Sequence, residues 1–108
     1  MATYCFDLDG TLCTTHGSEY VLSTPKPSRI RVVNTLYQEG HYIIIFTARG
    51  GTSGRDWSEL TRRQLQEWGV MHHQLILGKP AADFYIDDKG TNDKHFFSEA
   101  DSSESLTD

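Results

Sequence analysis

Two aspartates one residue apart open the chain's most reactive-looking stretch, Asp7-Leu8-Asp9-Gly10-Thr11, and a second acidic pair, Asp87-Asp88, closes the short apolar run at 84–86. Between them Thr47 ends the apolar run Tyr42 to Phe46, and Lys79 stands in the turn Gly78-Lys79-Pro80. Clustered carboxylates repel one another unless a hard cation sits among them, and oxygen ligands of this kind suit Mg²⁺. Such a site is normally completed by water and phosphate. The ammonium of Lys79 and the hydroxyl of Thr47 then supply a charge and a donor for phosphoryl oxygens. A carboxylate can itself attack phosphorus to give an aspartyl phosphate, which water later removes. Asp7 and Asp9, two apart on a strand, point to one face, so one is placed to attack while the other manages protons.

These residues need elements that bring them to one edge. Residues 3 to 8 are strand formers ending at the turn signal Asp9-Gly10. Gly10 to Pro27 reads as a long connection without regular structure, functional or mobile. Ser28 is placed to cap a helix carrying Ile30, Val33, Leu36 and Tyr37, which Gly40 ends. His41 to Ala48 reads as a strand buried on both faces. Asp56 is a candidate N-cap for a helix carrying Trp57, Leu60, Leu65 and Trp68, closed by Gly69. Gln74 to Leu77 predicts a third strand and Phe84-Tyr85-Ile86 a fourth. This order predicts an α/β fold with a mainly parallel sheet and flanking helices. In such sheets ligands sit at the carboxyl ends of the strands, where Asp7, Asp9, Thr47, Lys79, Asp87 and Asp88 all fall.

The chain has 108 residues, room for one domain and no separate substrate-covering domain. It is 37% hydrophobic and 23% charged, with no apolar run near the 18 or so residues a membrane span requires. The start lacks the marks of a secretory signal, so a cytoplasmic location is expected and no membrane partner. Cys5 and Cys13 are the two cysteines, too few for a disulfide framework; Cys5 reads as a buried strand filler and Cys13 as a loop thiol. Of the net charge of −5, Glu99, Asp101, Glu104 and Asp108 supply most, leaving residues 1–98 at −1. Residues 98–108 are acidic and serine-rich and are expected to be a disordered tail behind a core of 1–97. Neither part has the basic field of a dedicated nucleic-acid binder.

Asp7-Leu8-Asp9-Gly10-Thr11, Ile-Phe-Thr47-Ala48-Arg49, Gly78-Lys79-Pro80 and Ile-Asp87-Asp88 resemble, in order and at strand ends, the four motifs of the haloacid dehalogenase superfamily, over residues 3 to 93. The resemblance implies a Rossmann-like core with Asp7 as nucleophile and Asp9 as general acid/base. It also implies phosphate contacts from Thr47, Ala48, Arg49 and Lys79, and Mg²⁺ held by Asp7, Asp9, Asp87 and Asp88. Gly10 and Thr11 support the first turn. An acid at position 9 is similar to the phosphatases of the superfamily rather than to its dehalogenases. The intervals where such enzymes carry a cap domain are short, which implies a capless member. Capless members act on large substrates or oligomerise, so a homo-oligomer is expected, with the Gly10 to Pro27 loop near the contact. The Thr-Ala-Arg-Gly sequence is similar to that of small phosphatases of capsule and surface-sugar biosynthesis, so a small sugar phosphate is the expected substrate.

Two other functions stay open. Thr47 through Arg63 is also similar to the phosphatase domain of polynucleotide kinases, although residues 1–98 lack a basic groove. A domain that only binds phosphate ligands or a partner is the third, against which the retained Asp7, Asp9, Lys79 and Asp87 weigh. His72-His73 reads as exposed loop histidines rather than a zinc site. Trp57 and Trp68 read as core and Arg62-Arg63 as a solvated helix face.

Overall fold

A computed structural model describes residues 1–50 and 56–106 of the chain. The elements run β1 (Thr3–Asp7), β2 (Cys13–Thr14), a 3₁₀ turn (Tyr20–Leu22), β3 (Thr24–Pro25), α1 (Pro27–Gln38), β4 (Tyr42–Thr47), α2 (Ser58–Glu67), β5 (Gln74–Leu77), α3 (Asp93–Phe96) and α4 (Ser98–Leu106). β1, β4 and β5 form a parallel sheet in that order, with Thr3 opposite Tyr42 and Ile44 opposite Gln74. The glycine-rich residues 51–55 lie outside the described residues.

Both main helices end for the same reason. Gly40 at φ 95° and Gly69 at φ 70° adopt left-handed backbone that a Cβ resists. After α1, Gly40 N–H donates to the Tyr37 carbonyl and His41 N–H to that of Leu36; after α2, Gly69 and Val70 do the same to Gln66 and Leu65. This is the Schellman closure, which satisfies the last carbonyls of a helix. At its start α1 has Pro27 in the first turn and no side-chain cap from Lys26, so Ser28 lies inside the helix. Asp56 sits one residue before the α2 cap and accepts hydrogen bonds from the Ser58 backbone and hydroxyl.

The core comes from one face of the sheet. Phe6, Ile43 and Ile45 pack with Leu8, Leu12, Ile30, Val33, Leu65, Val70 and Phe97, with Tyr4 and Leu75 at the margin. Register partners share a face, so Cys5, Asp7, Ile44, Phe46 and Ile76 all lie on the opposite one, and none of these belongs to the core. Two expectations are corrected here. Cys5 is exposed rather than a core filler, and Ile44 and Phe46 are only partly buried because the described helices pack against the other face.

Three further corrections concern the connections. The Gly10 to Pro27 segment is ordered by an antiparallel pairing of Cys13 with Pro25 and Thr14 with Thr24. Residues 84–86 form no strand: residues 81–90 are exposed, and the Tyr85 hydroxyl donates to the Pro80 carbonyl, folding the segment on its own turn. The tail is not structureless at its start, because α4 begins at Ser98. Its composition cannot build a core, but Phe97 is buried beneath the Arg29 guanidinium, which reaches Asp93 at 2.6 Å and Asp101 at 3.0 and 2.8 Å. A borrowed cation thus holds a helix whose own residues have little apolar surface.

Candidate functional site

Asp7 is the last residue of β1, and the chain turns sharply behind it. Leu8 and Leu12, both fully buried, anchor the turn, while the Leu8 carbonyl accepts from the N–H groups of Thr11, Leu12 and Cys13. Gly10, at φ 86°, allows that path. The Thr11 hydroxyl donates to Asp7 Oδ2 at 3.3 Å. Lys79 Nζ stands 3.4 Å from Asp7 Oδ1, and its backbone N–H donates to the Thr47 carbonyl. The ammonium also lies 4.2 Å from the centre of the Tyr85 ring. Burial pushes the Asp7 carboxyl above its usual range, offset in part by Lys79 and by hydrogen bonds from Lys79 and Thr11.

Asp9 has a different environment. Arg49 Nη2 is 2.9 Å from Asp9 Oδ1 and Nε 3.0 Å from Oδ2, and the Thr15 hydroxyl donates to Oδ1 at 2.6 Å. The Thr47 hydroxyl reaches Oδ2 at 3.4 Å. Burial alone would raise this carboxyl, but hydrogen bonds from Arg49 and Thr15 and the Arg49 charge hold it below the usual carboxylate range. Two neighbouring acids are therefore pushed apart, Asp7 up and Asp9 down, a pattern typical of functional pairs.

The predicted phosphate contacts divide. Lys79 faces Asp7 and is partly exposed. Thr47 is fully buried; its hydroxyl accepts from Arg49 N–H and turns to Asp9. Arg49, 1% exposed, does not reach outward either: Nη1 donates to Thr61 at 3.1 Å and Gln64 at 2.6 Å, and the guanidinium lies 4.7 Å from the centre of the Tyr20 ring. Ala48 lies between them, partly buried. Thr15, Ser23, Tyr20, Thr61 and Gln64, which hold Asp9 and Arg49, were not predicted. Thr61 and Gln64 give a signal in retrospect: polar residues on the same helix face as Leu65.

The predicted Mg²⁺ ligands are not brought together. Asp87 and Asp88 are exposed, with Asp87 Oδ1 accepting from Lys89 and Gly90 N–H, and both Asp9 oxygens are engaged by Arg49. Among the described residues no three His, Cys, Asp or Glu gather as a metal-holding group. The arrangement does not fit the expected four-acid centre. His72 and His73 form no such group; His73 Nδ1 instead accepts from Ile43 N–H while the ring stacks between Tyr37 and Tyr42. Trp68 packs at the core margin, whereas Trp57 sits edge-on to Tyr20, the ring that lies against the Arg49 guanidinium.

Fold and site together define a small α/β domain: a three-stranded parallel sheet with flanking helices and two aspartates at the carboxyl end of its first strand. No protein-family model and no curated protein matches the chain. Among solved structures it is similar over the full length of both chains to a structural-genomics target from Vibrio cholerae, with 26% identity and a TM-score of 0.78. It is also similar to a chain in a Pnkp1/Rnl/Hen1 complex, at 24% identity and TM-score 0.58, covering 91% of this chain and 33% of that one. A chain in the Pnkp1/Rnl/Hen1 RNA repair complex gives 22% identity and TM-score 0.55, covering 91% and 31%. The last two likenesses are of fold. In the described residues no helix is long and apolar enough to cross a membrane.

Proposed function

We propose that this chain is a phosphohydrolase of the haloacid dehalogenase type, acting through an aspartyl phosphate on Asp7. One observation carries the reading: a half-exposed carboxylate at the end of β1 faces the Lys79 ammonium at 3.4 Å, with a second carboxylate two residues on in the clasp of a buried arginine. In the first step an Asp7 oxygen attacks phosphorus, the ester P–O bond breaks, and the leaving oxygen takes a proton. In the second, water attacks phosphorus, the bond to Asp7 breaks, and inorganic phosphate leaves with the carboxylate restored. Lys79 offsets the charge on the phosphoryl oxygens in both. Asp9 gives the leaving oxygen its proton in the first step and takes one from the attacking water in the second; because the Arg49 clasp favours its ionised form, it must take up a proton from solvent before the first step.

The substrate is a small phosphomonoester, a sugar phosphate by the resemblance of Thr47 to Gly50. Removal of a terminal phosphate from a polynucleotide is the second reading, prompted by the likeness in fold to a chain of an RNA repair complex. The charge of −1 over residues 1–98 weighs against it. Purified protein is tested against sugar phosphates, nucleotides and 3′-phosphorylated oligonucleotides, each with Mg²⁺ and with chelator. Phosphate release from the sugar phosphates is expected, and no release from any substrate sinks the reading.

A further inference from the structure

Lys79 carries its charge on a flexible four-carbon stem, which stays in one place only where its surroundings fix it. At the edge of the sheet this side chain is nonetheless only 17% exposed, with Nζ 3.4 Å from Asp7 Oδ1. The cover is aromatic. Nζ lies 4.2 Å from the centre of the Tyr85 ring and 5.9 Å from that of Phe46, the first well inside the ~6 Å reach of a cation–π contact and the second at its limit. Tyr85 is also the most covered member of its apolar run, 53% exposed against 81% for Phe84 and 95% for Ile86.

The ring is itself fixed. Its hydroxyl donates to the Pro80 carbonyl and accepts from the Ala82 N–H at 3.2 Å, which ties Tyr85 to the backbone next to the lysine it covers. That backbone is tied in turn to the sheet, because Lys79 N–H donates to the carbonyl of Thr47, the last residue of β4. Two short anchors thus bring an aromatic face and an ammonium together beside the carboxylate that ends β1.

We propose that Tyr85 is a positioning residue, whose ring holds the Lys79 ammonium beside Asp7, ready for a phosphoryl group. The use of that hold rests on the phosphohydrolase reading; the hold itself does not. A ring suits the task better than a second acid. A carboxylate would cancel the charge and occupy N–H donors, whereas an aromatic face attracts the cation through its quadrupole and leaves the charge in place. The ammonium donors that Asp7 does not take then remain for phosphoryl oxygens.

Because Tyr85 is half-exposed, replacing it leaves no cavity in the core, and the full chain can be used. Lys79 is followed directly by NMR through its ε-CH₂ signal, identified by its loss in Lys79→Met, in protein without substrate. In wild type this group should be ordered and shifted upfield by the ring; in Tyr85→Leu the upfield shift should vanish and the order parameter fall, and Tyr85→Phe, which keeps the ring, should recover part of both. In phosphate release from sugar phosphates, Tyr85→Leu should lower kcat/KM about fivefold and Lys79→Met more. The double variant should be no worse than Lys79→Met alone, since a residue that acts through Lys79 then has nothing to act on. An ε-CH₂ equally ordered in Tyr85→Leu overturns the inference, as do losses that multiply in the double variant. If Tyr85→Leu loosens Lys79 but the wild type releases phosphate from no ester, the phosphohydrolase reading falls and the hold of Tyr85 on Lys79 stands.

Discussion

Arg49 meets Asp9 side-on, Nη2 2.9 Å from Oδ1 and Nε 3.0 Å from Oδ2, with the guanidinium itself buried. Removing the cation strands the carboxylate and also leaves Thr61 and Gln64 without their partner. Arg49→Met should cost about 3 kcal/mol at pH 7 by urea denaturation. Asp9 is depressed in the folded state, so its stabilisation is present above the unfolded value of about 3.9 and is lost as pH falls through the folded one. The gap between variant and wild type should narrow below pH 4; equal stability at pH 7 would show that the pair contributes nothing.

Asp7 has the opposite sign. Burial raises it, so its ionised form weakens the fold at neutral pH, and stability held at low pH is lost as pH rises through the folded value. Asp7→Asn should therefore melt at or above the wild-type temperature at pH 7 and converge with it under acid. Turnover should fall by at least about 10³-fold, since an amide cannot attack phosphorus. An active Asp7→Asn of confirmed mass places the nucleophile elsewhere.

Lys79 lowers Asp7 against the effect of burial. In Lys79→Met the carboxyl should rise further, and the acid limb of the kcat/KM profile, which reports the free enzyme, should move to higher pH. An unmoved limb, with only KM raised, would reduce Lys79 to a phosphate contact.

The start of α4 should matter to stability. Arg29 lowers Asp101 through its hydrogen bonds first and its charge second, so the contribution is present at neutral pH and fades as pH falls through the folded value, below about 4. Asp101→Asn, or truncation after Phe97, should lower Tm by a few degrees, about 4 °C per kcal/mol lost. The loss should disappear near pH 3. Unchanged melting at pH 7 would return α4 to the status of a dispensable tail.

Thr47 is judged by its hydroxyl. It accepts from Arg49 N–H and faces Asp9 in a fully buried position. Thr47→Val should cost about 1–2 kcal/mol, and Thr47→Ser much less. Equal losses would point to packing alone.

Much of the scaffold was legible because its signals are local. Gly40 and Gly69 stop helices through left-handed backbone, and Gln74 to Leu77 is the strand its composition suggested. What the sequence hid is pairwise. Phe84-Tyr85-Ile86 has strand composition yet finds no ladder, since pairing depends on a neighbour and not on propensity. Arg49 read as an outward phosphate ligand because nothing in its own segment marks Asp9, Thr61 and Gln64 as its partners. The acidic tail read as disordered because its cation, Arg29, stands 72 residues from Asp101.

The register of β1 against β4 has a consequence for how the chain acquires its site. Every β1 residue pairs with one 39 positions later, from Thr3 with Tyr42 to Asp7 with Phe46. The contacts of Asp9 with Thr47 and Arg49 span 38 and 40 positions. The contacts that tie the carboxylate pair to β4 therefore cannot form by hairpin or helix formation alone, although Thr11 and Thr15 lie only 4 and 6 positions from the aspartates they meet. The loop-closure entropy of the wider separation is met only when β1 and β4 pair across α1. During synthesis the two aspartates emerge first and wait for β4. A signal from Asp9, such as its titration by NMR, would consequently appear together with the sheet and not before it.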